Sequence, residues 1–359
     1  MTQTTGSPNA CTSCHSDKKP DWASATINKW NGATPSLPIH YGQVFHDIQN
    51  NQKGAKARLT TLINSSETPV IMRASGYTLL EHGPQNIQTL ASGLNSQEPL
   101  IRLGAVRGAY GNPLARALLY PLLNDRYRAV RVEVVRSLAL SDPTILPRRY
   151  QEAYEKAEQE FIQAENQAAW RGEGRMNIGL YFQQSGKEQQ AIKAYYASTK
   201  LDPYFAPSYV NLANIFYGQG LDAKGGEWLK KGLVNTPDDP DLNFAQGLYL
   251  IRQAQGQDAL SHLAKAVLHA PDNARYSYVY GVALYDLGQA AKAKSILTQA
   301  LSYAPDHDDI LYYLMTINIA QKNYSDALIY AEKLLARYPN NATIQEQVAK
   351  IKIELDKSK

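Results

Sequence analysis

Five prolines constrain the carboxyl-terminal half of this chain more than any other feature. Pro203, Pro237, Pro271, Pro305 and Pro339 recur every 34 residues. A period that strict marks one supersecondary unit repeated in tandem, since each unit must offer the same faces to its neighbours. Counting back from each proline, Gly179, Ala213, Gly247 and Gly281 share one first-helix position, with Met315 as the odd member. Ala191, Gly225, Ala259, Ala293 and Ala327 share a position on the second helix. Only a small side chain lets two helix axes approach closely at a crossing. The sequence therefore predicts five helix pairs from about Gly172, closed by a polar helix from Asn340 to about Leu355 that gives the last pair a solvated outer face.

This unit is similar to the tetratricopeptide repeat, both in length and in its small residues. The resemblance implies an inner groove lined by fixed first-helix positions: Met176, Val210, Phe244, Tyr278 and Tyr312, then Asn214, then Tyr217, Ile251 and Tyr285, with Arg252 and Arg275 flanking them. An aromatic groove with a few cations suits a protein or peptide segment, extended or helical. The lysine and asparagine clamp that some such domains close on a terminal carboxylate is matched only at Asn214. A competing reading has half of the tyrosines stacking between neighbouring repeats.

Ahead of this array, Arg73, Arg102 and Arg131 recur at intervals of 29, and Arg107 and Arg136 repeat in a second register. Apolar helical stretches such as Ile87 to Leu94 and Leu114 to Leu123 lie between the arginine phrases. Residues 55–148 thus read as HEAT-like helix pairs with a slightly short period. Between Leu100 and Tyr150 nine arginines face Asp125, Glu133 and Asp142. They are spread by the repeat rather than gathered in one run, which argues against nucleic acid. Some are expected to pair with turn carboxylates and others to face an acidic partner. Pro143 and Pro147 close the block. A polar amphipathic helix follows, within 149–171, with Tyr150, Ala153, Ala157, Phe161 and Ala164 on one face, and reads as a linker helix before the array at 172–359.

The chemistry is concentrated in residues 1–50. Cys11-Thr12-Ser13-Cys14-His15 contains both cysteines of the chain. That spacing is the attachment signature of a c-type haem: the thiols add to two vinyl groups on one porphyrin edge, and the adjacent imidazole ligates iron. A disulfide, a redox Cys-x-x-Cys or half of a zinc site are the rival readings, and His40 with His46 would complete a Cys2His2 set for zinc. The redox motif ordinarily follows a strand, and nothing upstream reads as one. One covalent haem c is the preferred expectation, with His15 as the fifth iron ligand and His40, ahead of His46, as the sixth. A helix is expected from Asp21 to Trp30, with Pro20 in its first turn and Trp22 and Trp30 placed either against a porphyrin edge or in a small core. A loop from Gly32 to Pro38 and a helix from about Ile39 to Asn50 complete the segment.

The run Asn9, Ala10, Cys11, Cys14, His15 and Trp22, with His40 and Tyr41 after the loop, resembles the last haem segment of bacterial multihaem cytochromes c related to the cytochrome c554 group. In that family the haem region runs on into helical repeats. The resemblance implies electron transfer, a redox partner or sibling cytochrome, and a periplasmic or other extracytoplasmic location. Such proteins carry further haem motifs upstream, and here there are none. The start, MTQTTGSPNA, has neither the basic flank nor the apolar core of a secretory signal. The expectation is a piece of a longer exported protein.

Composition sets the remaining bounds. The net charge is a mild +4, and tyrosine is abundant, 24 against 6 Phe and 4 Trp, which fits the aromatic groove. No apolar run approaches the length of about 18 residues needed to span a membrane. Neither a Gly-x-Ser-x-Gly elbow, a phosphate loop, a His-Glu-x-x-His helix nor a dinucleotide fingerprint is present. His82, His262, His269 and His307 are scattered over repeat helices and turns, so an electron carrier and docking scaffold is favoured over an enzyme.

Overall fold

The computed structural model describes residues 2–32, 39–139, 145–167 and 170–357. Most of the expected Gly32 to Pro38 loop, Pro143, and residues 168 and 169 of the linker stretch lie outside the described residues. Within them the protein is all-α, with helices and short 3-10 turns and no strand. It divides into two compact units, the first formed by residues 1–167 and 181–187, the second by the remainder.

In the first unit, helices α1 (Thr2–Thr5), α2 (Ala10–Cys14), α3 (Pro20–Asn31) and α4 (Tyr41–Gln49) form the amino-terminal segment. Asn9 caps α2 by accepting from the Thr12 N–H at 3.0 Å, Pro20 opens α3, and Gly32 ends it at φ +78°. Next come α5 (Ala55–Asn64), α6 (Val70–Tyr77), α7 (Ile87–Leu94), α8 (Pro99–Gly108), α9 (Arg116–Leu119), α10 (Arg128–Leu138) and α11 (Gln151–Gln167). Helix α8 packs against both α6 and α10, and one apolar core runs from Val44 through Ile63, Ile101 and Val134 to Phe161. Gly104 and Gly108 let α8 lie directly on α6: a Cβ at either would strike the backbone of Ala74 or Tyr77.

The repeated arginines fasten each pair to the next. The Arg73 Nε donates to the Ile63 carbonyl at 2.9 Å. Arg102 grips Asp125 with two N–H bonds, at 2.6 and 3.0 Å, and donates to the Ser96 carbonyl. Arg131 does the same with Glu160, at 2.8 and 2.7 Å, and donates to the Asp125 carbonyl. In the second register Arg107 reaches Glu133 and Arg136 reaches Glu165. These planar forks satisfy turn carbonyls and carboxylates at once, which a lysine could not do.

Two sequence expectations change here. The stretch from Leu114 to Leu123 is not one helix but a 3-10 turn (Pro113–Ala115), the single turn α9 and another 3-10 turn (Tyr120–Asn124). Pro121 has no N–H to donate, and its ring opposes the carbonyl four residues back, so an α-helix cannot run through it. The helix expected as a linker buries Ala157 and Phe161 in the core of the first unit and packs on α10. It therefore completes that unit.

The second unit contains the helix pairs α12 (Gly172–Gln184) and α13 (Glu188–Leu201), α14 (Ala206–Gly218) and α15 (Asp222–Asn235), α16 (Pro240–Arg252) and α17 (Gly256–His269), α18 (Ala274–Asp286) and α19 (Ala290–Tyr303), and α20 (Asp308–Ala320) and α21 (Tyr324–Arg337), closed by α22 (Ala342–Lys357). The end of α12, from Tyr181, counts with the first unit. Each of the five periodic prolines sits in the turn between pairs. The small residues stand at the crossings. A Cβ on Gly179 would lie 2.5 Å from the Tyr195 ring, one on Gly247 2.7 Å from Leu263, and one on Gly281 2.6 Å from Leu297. Met315 is accommodated because its neighbours there are the alanines Ala327 and Ala331, in the cluster that Val348 and Ile351 of α22 seal.

Candidate functional site

The first helices of the second unit carry the positions expected to line a groove. Between the end of α16 and the face of α18 lies an apolar cavity of about 350 Å³ walled by Ile251, Tyr278, Val279, Val282 and Leu287, with Asp286 at its edge. Ile251 and Tyr278 were expected there from the repeat register. Val282 is the counterpart of Asn214 two repeats on, so the same register could have found it. Leu287 lies outside the register and carried no such signal.

The aromatic rings largely join one repeat to the next. Tyr217 stacks on Tyr249 at 6.0 Å, and the Arg252 guanidinium lies 4.1 Å from its ring centre. Phe244 is only 7% exposed; it stacks on Tyr276 at 4.4 Å beneath the Arg275 guanidinium, so it backs the wall rather than offering a free face. Tyr278 and Tyr285 both meet Tyr313 edge-on, at 6.0 and 5.8 Å. Asn214 and Tyr312 are exposed. The partners Tyr249, Tyr276 and Tyr313 occupy three different positions of the repeat, so the period could not reveal them.

Burial holds the Tyr313 hydroxyl up to about 12, with the Asp286 carboxylate adding to it. Burial likewise pushes Tyr217 up to about 12 against the pull of Arg252. Both phenols thus stay neutral. Arg275 at one end of α18 and Asp286 at the other are not ion-paired with another described residue. Arg252 lies 3.9 Å from Asp222, a distance that leaves its guanidinium only loosely engaged.

The amino-terminal motif is a second candidate site. The two thiols, three residues apart on the single turn of α2, share one side of it and are free, Cys11 half-buried and Cys14 exposed. His15 follows at the helix end, its ring 4.9 Å from that of Trp22. Ile27, Trp30 and Ile39 in the same segment are 42%, 74% and 56% exposed, more apolar surface than so small a segment would ordinarily leave to water. His40 caps α4: its Nδ1 accepts from the Gly42 N–H at 3.1 Å, which places the proton of the neutral ring on Nε2. The His46 Nδ1 is buried without a hydrogen-bond partner, 3.7 Å from Asp47, whose other oxygen accepts from Arg58. Among the described residues no group of three or more His, Cys, Asp or Glu is gathered to hold a metal ion.

Comparison with known proteins agrees with the helix-pair geometry. Family models of the tetratricopeptide repeat match residues 173–205, 244–293 and 284–351. Together with the five helix pairs they define a helical-repeat protein with a tetratricopeptide array. Among solved structures, MamA shares 22% identity over 46% of this chain and 97% of its own, at a TM-score of 0.41. YrrB, described as a TPR protein with an unusual peptide-binding site, shares 19% over 51% of this chain and 95% of its own, at 0.41. The APC/C hetero-tetramer Cut9-Hcn1 shares 17% over 87% of this chain and 70% of its own, at 0.43. No curated protein matches the sequence. Among the described residues no helix is long and apolar enough to cross a membrane.

Proposed function

We propose that this protein is a docking scaffold whose tetratricopeptide groove takes an apolar side chain of a partner segment, and that its amino-terminal segment carries one covalent haem c, so that docking serves electron transfer. The cavity walled by Ile251, Tyr278, Val282 and Leu287 carries the first part. Its size suits one or two aliphatic or aromatic side chains, the anchors on which such interfaces depend. Selecting peptides from a random library on the wild-type protein, and measuring their affinity by fluorescence polarisation, tests it. Val282→Glu is expected to weaken the selected peptides at least about tenfold, since it buries a charge in the cavity. Equal binding by wild type and variant would remove the groove from the proposal.

The second part rests on the donor set, two accessible thiols on one helical turn followed by an exposed imidazole. These residues fit the group. Cys11 and Cys14 would hold the porphyrin through thioethers, His15 the iron, and Ile27, Trp30 and Ile39 supply the apolar surface that a macrocycle needs covered. When bound, haem supplies a one-electron couple. His40 would serve as the sixth ligand by giving up its cap to Gly42, because ligation by Nε2 requires the proton to move to Nδ1. His46 is the second choice, its Nδ1 already free of a partner. Export of the chain with a signal sequence supplied, alongside a cytochrome maturation system, should yield a pigment that stays with the denatured polypeptide and gives a pyridine haemochrome. Cys11→Ser/Cys14→Ser should be colourless. A folded, colourless wild type would leave the non-redox scaffold, with the motif empty or holding zinc.

A further inference from the structure

The second helices of the first two tetratricopeptide pairs carry a cleft that the groove reading does not use. It lies between α13 and α15, has a volume of about 340 Å³, and is lined by Tyr196, Tyr209, Trp228, Lys200, Lys231 and Val234. Tyr196 and Trp228 meet edge-to-face at 5.9 Å, while Tyr209 stands 6.3 Å from Trp228 and hydrogen-bonds the Asn235 amide. The walls are thus fixed by ring contacts and the floor by a hydrogen bond. At the rim the Lys200 ammonium lies 5.5 Å over Tyr196 and that of Lys231 lies 4.3 Å over Trp228. Val234, on the same rim, is 82% exposed.

The two lysines at its rim, Lys200 and Lys231, belong to a set of unpaired lysines on these helices. α13 and α15 carry Lys193, Lys200, Lys224, Lys230 and Lys231, all exposed, and among the described residues no carboxylate is ion-paired with any of them. Glu227 stands one turn before Lys231 without pairing with it, Glu188 accepts instead from Gln219, and Asp222 faces Arg252. The later pairs differ: Lys265 reaches Asp238, Lys294 reaches Asp326 and Arg337 reaches Asp308. An aromatic cleft rimmed by Lys200, Lys231 and an exposed valine is a surface whose complement is acidic with an apolar centre.

We propose that the cleft between α13 and α15 docks an acidic protein segment, one apolar side chain entering the cleft beside the Tyr196–Trp228 pair while flanking carboxylates meet Lys200 and Lys231. A nucleic-acid strand is the poorer fit. The two rings meet edge-to-face rather than as parallel platforms, and Lys200 and Lys231 sit over the faces on which bases would stack. The test uses a fluorescein-labelled peptide with a single leucine flanked by aspartates and glutamates. Wild-type protein should bind it, and affinity should fall steeply as ionic strength rises from about 0.05 to about 0.3 M. Lys200→Glu/Lys231→Glu should weaken binding at least tenfold, whereas Lys292→Glu/Lys333→Glu, the same change of charge on the second helices of later pairs, should weaken it less than threefold. All four lysines are exposed, so neither variant disturbs packing, and far-ultraviolet circular dichroism checks this. Equal losses in the two variants, equal binding of a peptide with glutamines in place of its acids, or tighter binding of an oligothymidylate than of the peptide would each overturn the proposal.

Discussion

Gly281 offers a direct test of how the helix pairs are built. It sits in α18 where that helix crosses α19, and an ideal Cβ there would lie 2.6, 2.7 and 3.0 Å from Cγ, Cδ2 and Cδ1 of Leu297, which is 0% exposed. Two effects oppose each other in Gly281→Ala. Alanine is better than glycine inside a helix by about 1 kcal/mol. The added methyl must displace a fully buried leucine whose branch point, not merely its tip, is in the way, and such overpacking costs about 1–3 kcal/mol. The crossing should win, for a net loss of about 1 kcal/mol. Leu297→Ala alone should cost about 2–5 kcal/mol through the cavity it leaves. In the double variant the new methyl occupies part of that cavity, so the combined loss should fall short of the sum by about 1–2 kcal/mol. A repeat array need not unfold in one step, so the quantity to measure is the opening free energy of α18 and α19 amides by native-state hydrogen exchange. If Gly281→Ala raises protection, or if the two single effects add within about 0.5 kcal/mol, the close crossing is not what selects glycine here.

Two further outcomes follow from backbone and charge. The residue ending each first helix has positive φ, and in two pairs it is not glycine: Ala254 at 57° and Lys322 at 59°. Ala254→Gly should therefore stabilise the second unit by about 1 kcal/mol in thermal denaturation, while Gly288→Ala, at φ +79°, should cost a similar amount; a loss on Ala254→Gly would contradict the strain. In the first unit, burial works to raise the Asp125 carboxyl, but the Arg102 fork, the Tyr127 N–H and the Arg131 charge together hold it below the ordinary value, and the Arg131 fork holds Glu160 down against a smaller burial effect. Because both folded values are depressed, their contribution is present above the ordinary carboxylate range and is lost as pH falls through the folded values, below about pH 4. Asp125→Asn should flatten that acid limb in denaturant titrations and lower stability at neutral pH by about 3 kcal/mol, leaving the Arg102 guanidinium without its carboxylate; an unchanged acid limb would show that the fork is not a stabilising pair.

Much of the fold was legible because period and burial are coupled. A repeat can stack only if the same small residue returns at each crossing, so Gly179, Ala213, Gly247 and Gly281 announced the helix pairs before any coordinate was known. The arginines Arg102 and Arg131 were legible as a repeat, but their partners were less so, since Asp125 lies in a turn and Glu160 on a helix that the sequence presented as a linker. The groove divides the same way. Ile251 and Tyr278 came from the register, whereas Leu287 closes the cavity from outside it.

The sequence by itself determined the number and length of the tetratricopeptide pairs, their turns and crossings, and the single Cys-x-x-Cys-His run on which the haem proposal rests. Those are properties of spacing, which the chain carries without folding. Only the tertiary structure decided which aromatic rings face a neighbouring repeat and which line open space, that Phe244 is walled in while Tyr312 is not, and that Lys200 and Lys231 rim an aromatic cleft with no carboxylate ion-paired to either. Those depend on which side chains from different pairs share one volume, and nothing in the order of residues along a helix fixes what will be packed across from it.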